Sequence, residues 1–259
     1  MSVISYLDGR ASSAVLSSNE ESSINTSIAT IKARLTSHFG GGLSEHLRFG
    51  SSTRGTILPR AMDEHSDIDY MTVFTEEGFT PQTYLDRLKR FAEAYYASSD
   101  IKQSSPSVVL QLNHIKFDLV PALKQAYGAG YRIPNGTSAW QDTNPNDFNA
   151  TLTAKNNAEL YKIKPTVRLA KYWNACNGYI YDSYSFEKYI VGLPYYTVSN
   201  IRDYLFTVID NLALSYEQPQ WRKDKLARAK EIVAKVRQLE RDSMPVTAEG
   251  EVKKLIPAG

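Results

Sequence analysis

Asp67 and Asp69 open a run of strand-forming residues, Tyr70-Met71-Thr72-Val73-Phe74, and a Phe49-Gly50-Ser51 turn lies upstream. Residues two apart on a strand share a face. A strand here turns Ile68 into a core and aims both carboxylates at one place. Two such anions repel unless a cation lies between them. With no Cys or His beside them, hard oxygen donors suit Mg²⁺ or Mn²⁺ better than zinc. An isolated Asp-x-Asp is more often a solvated turn. The apolar residues that follow and the glycine turn that precedes set this pair apart.

The turn is read in the same way. Leu43 to Phe49 alternates as a short strand, Gly50 permits close backbone approach, and Ser51 begins a helix that ends before Pro59. A helix N-terminus offers N–H groups to phosphate oxygens. Ser51 adds a hydroxyl and Arg54 a charge. Downstream, Val108 to Leu112 and Ile115 to Val120 read as adjacent strands turning at Asn113-His114. Asp118 lies between Phe117 and Leu119 and so faces away from them. A mid-strand carboxylate is costly to bury without a purpose. It is expected to be the third metal ligand, with Pro121 ending its strand.

These motifs resemble those of the polymerase-β-type nucleotidyltransferase superfamily: Gly-Ser, then Asp-x-Asp, then a third Asp on a neighbouring strand. More narrowly the chain is similar to the bacterial CD-NTase or SMODS enzymes, relatives of animal cyclic GMP–AMP synthase. The softer matches are Thr143-Asn144-Pro145, Arg168 to Asn174, and Ser183-Tyr184-Ser185-Phe186-Glu187. The resemblance implies a mixed α+β fold: a small mixed sheet flanked by helices, and a second, mainly helical lobe. The expected division is a catalytic core at 24–140 and a helical nucleotide-binding lobe at 141–259. The resemblance also implies that Lys171 reaches the triphosphate, Ser183 touches phosphate and Tyr184 stacks on the base. Ser185-Phe186 is the alternative for that last step.

Composition is compatible with this reading. The chain has 259 residues, 42% of them hydrophobic, and a formal net charge of +2. A large core is affordable, and no bulk charge draws the chain to nucleic acid. Cys176 is the sole cysteine and is expected to pack as a small apolar helix residue, which excludes an internal disulfide and a multi-cysteine zinc site. No apolar run reaches membrane-spanning length, and the first residues lack a signal peptide's pattern, so a cytoplasmic location is expected.

Residues 12–23 are Ser-rich and read as a loose lead-in. Ile24, Ile28, Ile31, Leu35 and Phe39 recur at helical spacing up to Gly40-Gly41-Gly42. A second amphipathic helix follows Pro81. Residues 127–149 read as a long polar loop, taken as the crossing between lobes. Lys164, Arg168 and Lys171 form a basic stripe. Residues 221–241 form an amphipathic helix with eight Lys or Arg against three Asp or Glu. Such a face is usually only solvated, and a nucleic-acid activator is not the favoured reading.

The expected chemistry uses two Mg²⁺ (or Mn²⁺) ions. Asp67 and Asp69 bridge both, and Asp118 binds the one that activates the attacking hydroxyl. The substrates are nucleoside triphosphates, ATP first among them. The expected product is a cyclic or linear oligonucleotide second messenger for bacterial anti-phage defence, read by a neighbouring effector. The alternatives are nucleotidyl transfer to a protein, tRNA or small molecule, and a non-catalytic nucleotide-binding partner of an effector.

Overall fold

A computed structural model describes residues 2–258. In chain order the elements are α1 (Val3–Ser13), α2 (Ser18–Phe39), β1 (Leu43–Phe49), α3 (Ser51–Arg54), β2 (Asp67–Phe74), α4 (Pro81–Tyr95), β3 (Asp100–Ser104), β4 (Ser107–Gln111) and β5 (Lys116–Lys124). Then follow β6 (Tyr131–Asn135), β7 (Ala139–Thr143), α5 (Asp147–Ala158), α6 (Ile163–Cys176), α7 (Ser183–Gly192), α8 (Ile201–Asn211), α9 (Gln220–Arg241) and α10 (Pro245–Leu255). The fold is mixed α+β. It divides into two compact units, one of residues 16–60 and 65–150, the other of residues 1–15, 61–64 and 151–259.

The first unit holds a mixed sheet in the order β1-β2-β5-β4-β3, continued from β5 through β6 to β7. Only β2 and β5 run parallel; the other pairs are antiparallel. Strand alternation sorts the side chains. Ile68, Tyr70 and Phe74 of β2 and Phe117 and Leu119 of β5 join Ile31 and Leu35 of α2 and Tyr84, Leu88 and Phe91 of α4 in one buried cluster. Met71, Val73 and Ala122 form a smaller cluster, against which Leu47, Phe49, Tyr131 and Ile133 pack. The period of two therefore places Asp67, Asp69 and Asp118 on the face away from α2 and α4.

Several expectations are corrected. The Ser-rich lead-in is helical except for a short turn at residues 14–17: Ser17 caps α2, its hydroxyl accepting from Glu20 N–H while the Glu20 carboxylate accepts from Ser17 N–H. Such a cap contributes about 1 kcal/mol. Ser12 and Ser13 hydroxyls donate to the carbonyls of Asp8 and Gly9, so serine is accommodated within α1. Pro121 does not end its strand. It falls between the residues of β5 paired with β4 and those paired with β6, where no ladder bond is lost on that side. The polar loop contains the β6–β7 hairpin, turning at Gly136 with φ of 78°. Trp140 meets Tyr84 with ring centroids 5.5 Å apart, which anchors the hairpin to the larger core. Cys176 ends α6 exposed rather than packed.

The second unit is helical. Val167, Ala170 and Trp173 of α6, Leu205 and Val208 of α8, and Val233 and Val236 of α9 are buried. Tyr6 of α1 donates to the carbonyl of Ile256 at 2.7 Å, tying the chain's first helix to the segment after α10. The expected basic stripe of α6 is not a solvated face: Lys171 is 8% exposed, and burial draws the Arg168 pKa below its ordinary value. Among the described residues, no helix is long and apolar enough to cross a membrane.

Candidate active site

The site is assembled from the ends of three strands. In the parallel β2–β5 pair Asp69 lies opposite Asp118, and Asp67 lies opposite Lys116. In the β1–β2 pair Phe49 lies opposite Asp69, which brings the residue after Phe49 beside that carboxylate. That residue is Gly50, with φ of 72° and ψ of −155°. L-residues with side chains scarcely enter this region. A Cβ there would stand 1.8 Å from Asp69 Oδ2 and 2.7 Å from its Cγ. Conformation and space both demand glycine.

After the glycine, α3 closes at once. Its carbonyl accepts from the N–H groups of Thr53 and Arg54 and from the Thr53 hydroxyl at 3.2, 3.3 and 2.9 Å. Gly55, in the left-handed region, ends the turn. Ser51 and Ser52 supply the first N–H groups, ahead of the internal bonds of the helix. Arg54 is 6% exposed and lies over the Phe148 ring, 5.8 Å from its centroid, so its guanidinium is packed inward.

The carboxylates surround an unforeseen cation. Lys116 Nζ is 3.0 Å from Asp67 Oδ2 and 3.7 Å from Asp118 Oδ1. Burial alone would lower the lysine pKa, but Asp67 and Asp118 outweigh it and hold the ammonium above its ordinary value. The Asp118 pKa is pushed up to about 6, first by burial and then by the charge of Asp67, against the opposing pull of Lys116 and Ser107. Asp118 Oδ1 is buried and accepts no hydrogen bond. Lys116 had a legible signal: it precedes Asp118 by two residues on one strand and so shares its face.

This donor set suits a hard divalent ion. It offers carboxylate oxygens, one of them buried without a hydrogen bond, with an ammonium already lodged among them. Asp67, Asp69 and Asp118 are the residues that would hold it. They do not close into a ready-made cage: among the described residues, no group of three or more His, Cys, Asp or Glu has that geometry.

The raised Asp118 pKa gives a pH prediction for metal-free protein. Below the ordinary carboxylate range the side chain is neutral folded and unfolded. Because its folded pKa is raised, its contribution to stability is lost as pH rises through about 6. The melting temperature of Asp118→Asn in chelator, minus that of wild type, is expected to grow between about pH 4 and 6 and then level off. Calorimetry across that range checks it, and a constant difference would refute the assignment.

The remaining expected site residues lie in the helical unit. Lys171 of α6 is ion-paired with Glu187 of α7, Nζ to Oε1 3.0 Å, and Glu187 is fully buried. Asp182 caps α7 by accepting from Ser185 N–H at 2.8 Å. Ser183, the first residue of α7, is exposed. Tyr184 is 41% exposed, and Lys188 Nζ lies 5.5 Å from its ring centroid.

The family model for the Second Messenger Oligonucleotide or Dinucleotide Synthetase domain matches residues 1–156. The chain belongs to this family. It is 28% identical over 185 residues to a probable cyclic nucleotide synthase of Bacillus cereus (strain VD146), a match covering 57% of this chain and 55% of that one. The match thus spans about half the length of that curated relative. Two solved structures have a similar fold. The Vibrio cholerae DncV cyclic AMP-GMP synthase, in complex with the linear intermediate 5′ pppA(3′,5′)pG, superposes with a TM-score of 0.75 at 11% identity, covering 95% of this chain and 92% of that one. The Bradyrhizobium diazoefficiens CD-NTase CdnG, in complex with GTP, superposes with a TM-score of 0.72 at 12% identity, covering 99% and 98%.

Proposed function

We propose that this protein is a divalent-metal-dependent nucleotidyltransferase that joins nucleoside triphosphates into a cyclic or linear oligonucleotide second messenger, in bacterial anti-phage defence. The observation that carries this reading is Asp67, Asp69 and Asp118 on one sheet face, with the Gly50 backbone pressed against Asp69. In the reaction a ribose hydroxyl oxygen of one nucleotide bonds to the α-phosphorus of another. The bond from that phosphorus to the bridging oxygen breaks, pyrophosphate leaves with the electron pair, and the hydroxyl proton passes to solvent. A divalent ion bound at the carboxylates supplies charge neutralisation and a lowered hydroxyl pKa.

The chain's own part is positioning. Gly50 lets phosphate approach the backbone, and Ser51 and Ser52 offer N–H groups at the start of α3. Catalysis is assigned to residues 24–140 and nucleotide contacts to residues 141–259. Lys171 and Ser183 are assigned to phosphate, and Tyr184 to stacking on the base. Lys171→Met is expected to raise KM for nucleoside triphosphate about tenfold with a smaller change in kcat. Steady-state kinetics check it, and an unchanged KM would remove Lys171 from the site.

The product is tested by incubating purified protein with labelled NTPs and dNTPs separately, with Mg²⁺, followed by phosphatase. Phosphatase-resistant label in a small molecule is the expected result. Label on protein or added RNA would instead identify a macromolecular acceptor. The same conditions with ATP alone test its place as first substrate. The GTP and the pppA(3′,5′)pG bound in the two similar structures support a triphosphate substrate here. An effector protein that reads the product completes the proposed pathway.

A further inference from the structure

Lys116 is a charged side chain at the carboxylates for which the proposed reaction has no use. It is not a peripheral surface lysine. It shares a face of β5 with Asp118 and lies opposite Asp67 in the parallel register. Its Nζ is within 3.0 Å of one aspartate and 3.7 Å of another, and its side chain is 23% exposed. Asp118 Oδ1 has no hydrogen bond. Asp67 and Asp118 both reach this ammonium, and among the described residues no three His, Cys, Asp or Glu are grouped as a metal cage.

We propose that Lys116 is a resident cation that occupies the carboxylate site of the metal-free enzyme and is expelled when a divalent ion enters. This rests on the reading of Asp67, Asp69 and Asp118 as the metal ligands. The ammonium and the metal claim the same oxygens. An oxygen-coordinated divalent ion approaches to about 2.0–2.6 Å, far inside the span the lysine now holds. The aspartates are anchored by short side chains on paired strands, whereas Lys116 has four flexible methylenes. The lysine is therefore the group that moves. In the metal-free state it offsets the mutual repulsion of the carboxylates and keeps them together. Metal uptake is then an exchange of cations rather than an addition to a vacant cage, and Lys116 sets its threshold. Its role is positioning, exerted through the aspartates.

The test uses the full chain, with Mn²⁺ alone as the probe and its affinity read by electron paramagnetic resonance. Lys116→Met is expected to bind Mn²⁺ about tenfold more tightly than wild type, since a competing cation has been removed. Its metal-free form should melt below wild type, and saturating Mn²⁺ should narrow that gap. Lys116→Arg, which keeps a cation, should retain weaker binding like wild type. In wild type, acylation of Lys116 by a soluble amine reagent, followed by peptide mass spectrometry, should accelerate several-fold on adding Mn²⁺. Equal or weaker Mn²⁺ binding by Lys116→Met would overturn the proposal. So would an acylation rate indifferent to Mn²⁺, a measurement that stands even if the methionine variant fails to fold. Asp69→Asn separates the two levels of inference: if it binds Mn²⁺ as wild type does, the aspartates are not the metal site and both readings fall. If it loses binding while Lys116→Met gains none, only the role of Lys116 falls.

Discussion

Asp69→Asn is expected to lower pyrophosphate release from nucleoside triphosphate at least about a thousandfold, with the fold retained. The substitution preserves shape and removes one negative charge. Asp69 occupies the centre of the constellation, opposite Asp118 in the register and against the backbone of Gly50. A neutral amide oxygen there neither holds a divalent ion comparably nor offsets its charge. Phosphoryl transfer depends on positioning and charge neutralisation, so the loss should fall on turnover rather than on substrate affinity. Stability should change little, because removing one of several crowded carboxylates also relieves repulsion. Pyrophosphate release under saturating nucleotide, with circular dichroism as the control for folding, decides the matter. Near-full turnover in this variant would dismiss the metal assignment.

Gly50→Ala is expected to damage both stability and activity. A methyl group at φ of 72° and ψ of −155° is strained whatever surrounds it, and here it would stand 1.8 Å from Asp69 Oδ2. Backbone strain of about 1–3 kcal/mol and overpacking of about 1–3 kcal/mol together give a loss of about 2–6 kcal/mol. For a chain of this size that is a fall in Tm of at least about 4 °C. The collision is with one side chain, which supplies a control. In an Asp69→Ala background the carboxylate atoms are gone, and Gly50→Ala should cost measurably less. The difference between the two costs is the coupling energy of the pair. Equal costs in both backgrounds would mean that the glycine is required for its dihedral angles alone.

Much of the first unit was legible because strand alternation has a period of two and leaves little freedom. Once Asp67-Ile68-Asp69 and Phe117-Asp118-Leu119 were read as strands, the shared face of the carboxylates followed. Adjacent strands with matched polarity then made one site. The Gly50-Ser51 turn was legible for a related reason, since few residues other than glycine tolerate such a bend. The misreadings have physical causes as well. Serine is a poor helix former in isolation, and residues 12–13 and 18–23 are helical through serine hydroxyls turned back to carbonyls and through the Ser17–Glu20 capping box. The β6–β7 hairpin is rich in polar residues, and its strand character depends on pairing with β5 and on Trp140 meeting Tyr84. The burial of Lys171 beside Glu187 was not legible, because it depends on where α7 packs.

Local pattern was sufficient to put the aspartates on strand faces and the glycine at its turn, because each rests on backbone periodicity or on a residue's own conformational range, whereas the mixed α+β class came from the family resemblance. It could not show how charges are balanced within the site. The sequence shows Asp118 as a carboxylate in an apolar run, but the pairing of β2 with β5 is what buries it, places Asp67 near it and pushes its pKa up to about 6. Lys116 was visible as a strand residue on the same face, yet its lodging between Asp67 and Asp118 depends on the parallel register across two strands far apart in sequence. Electrostatic energies follow distance in space and exclusion of water, and neither quantity is encoded in any single stretch of the chain.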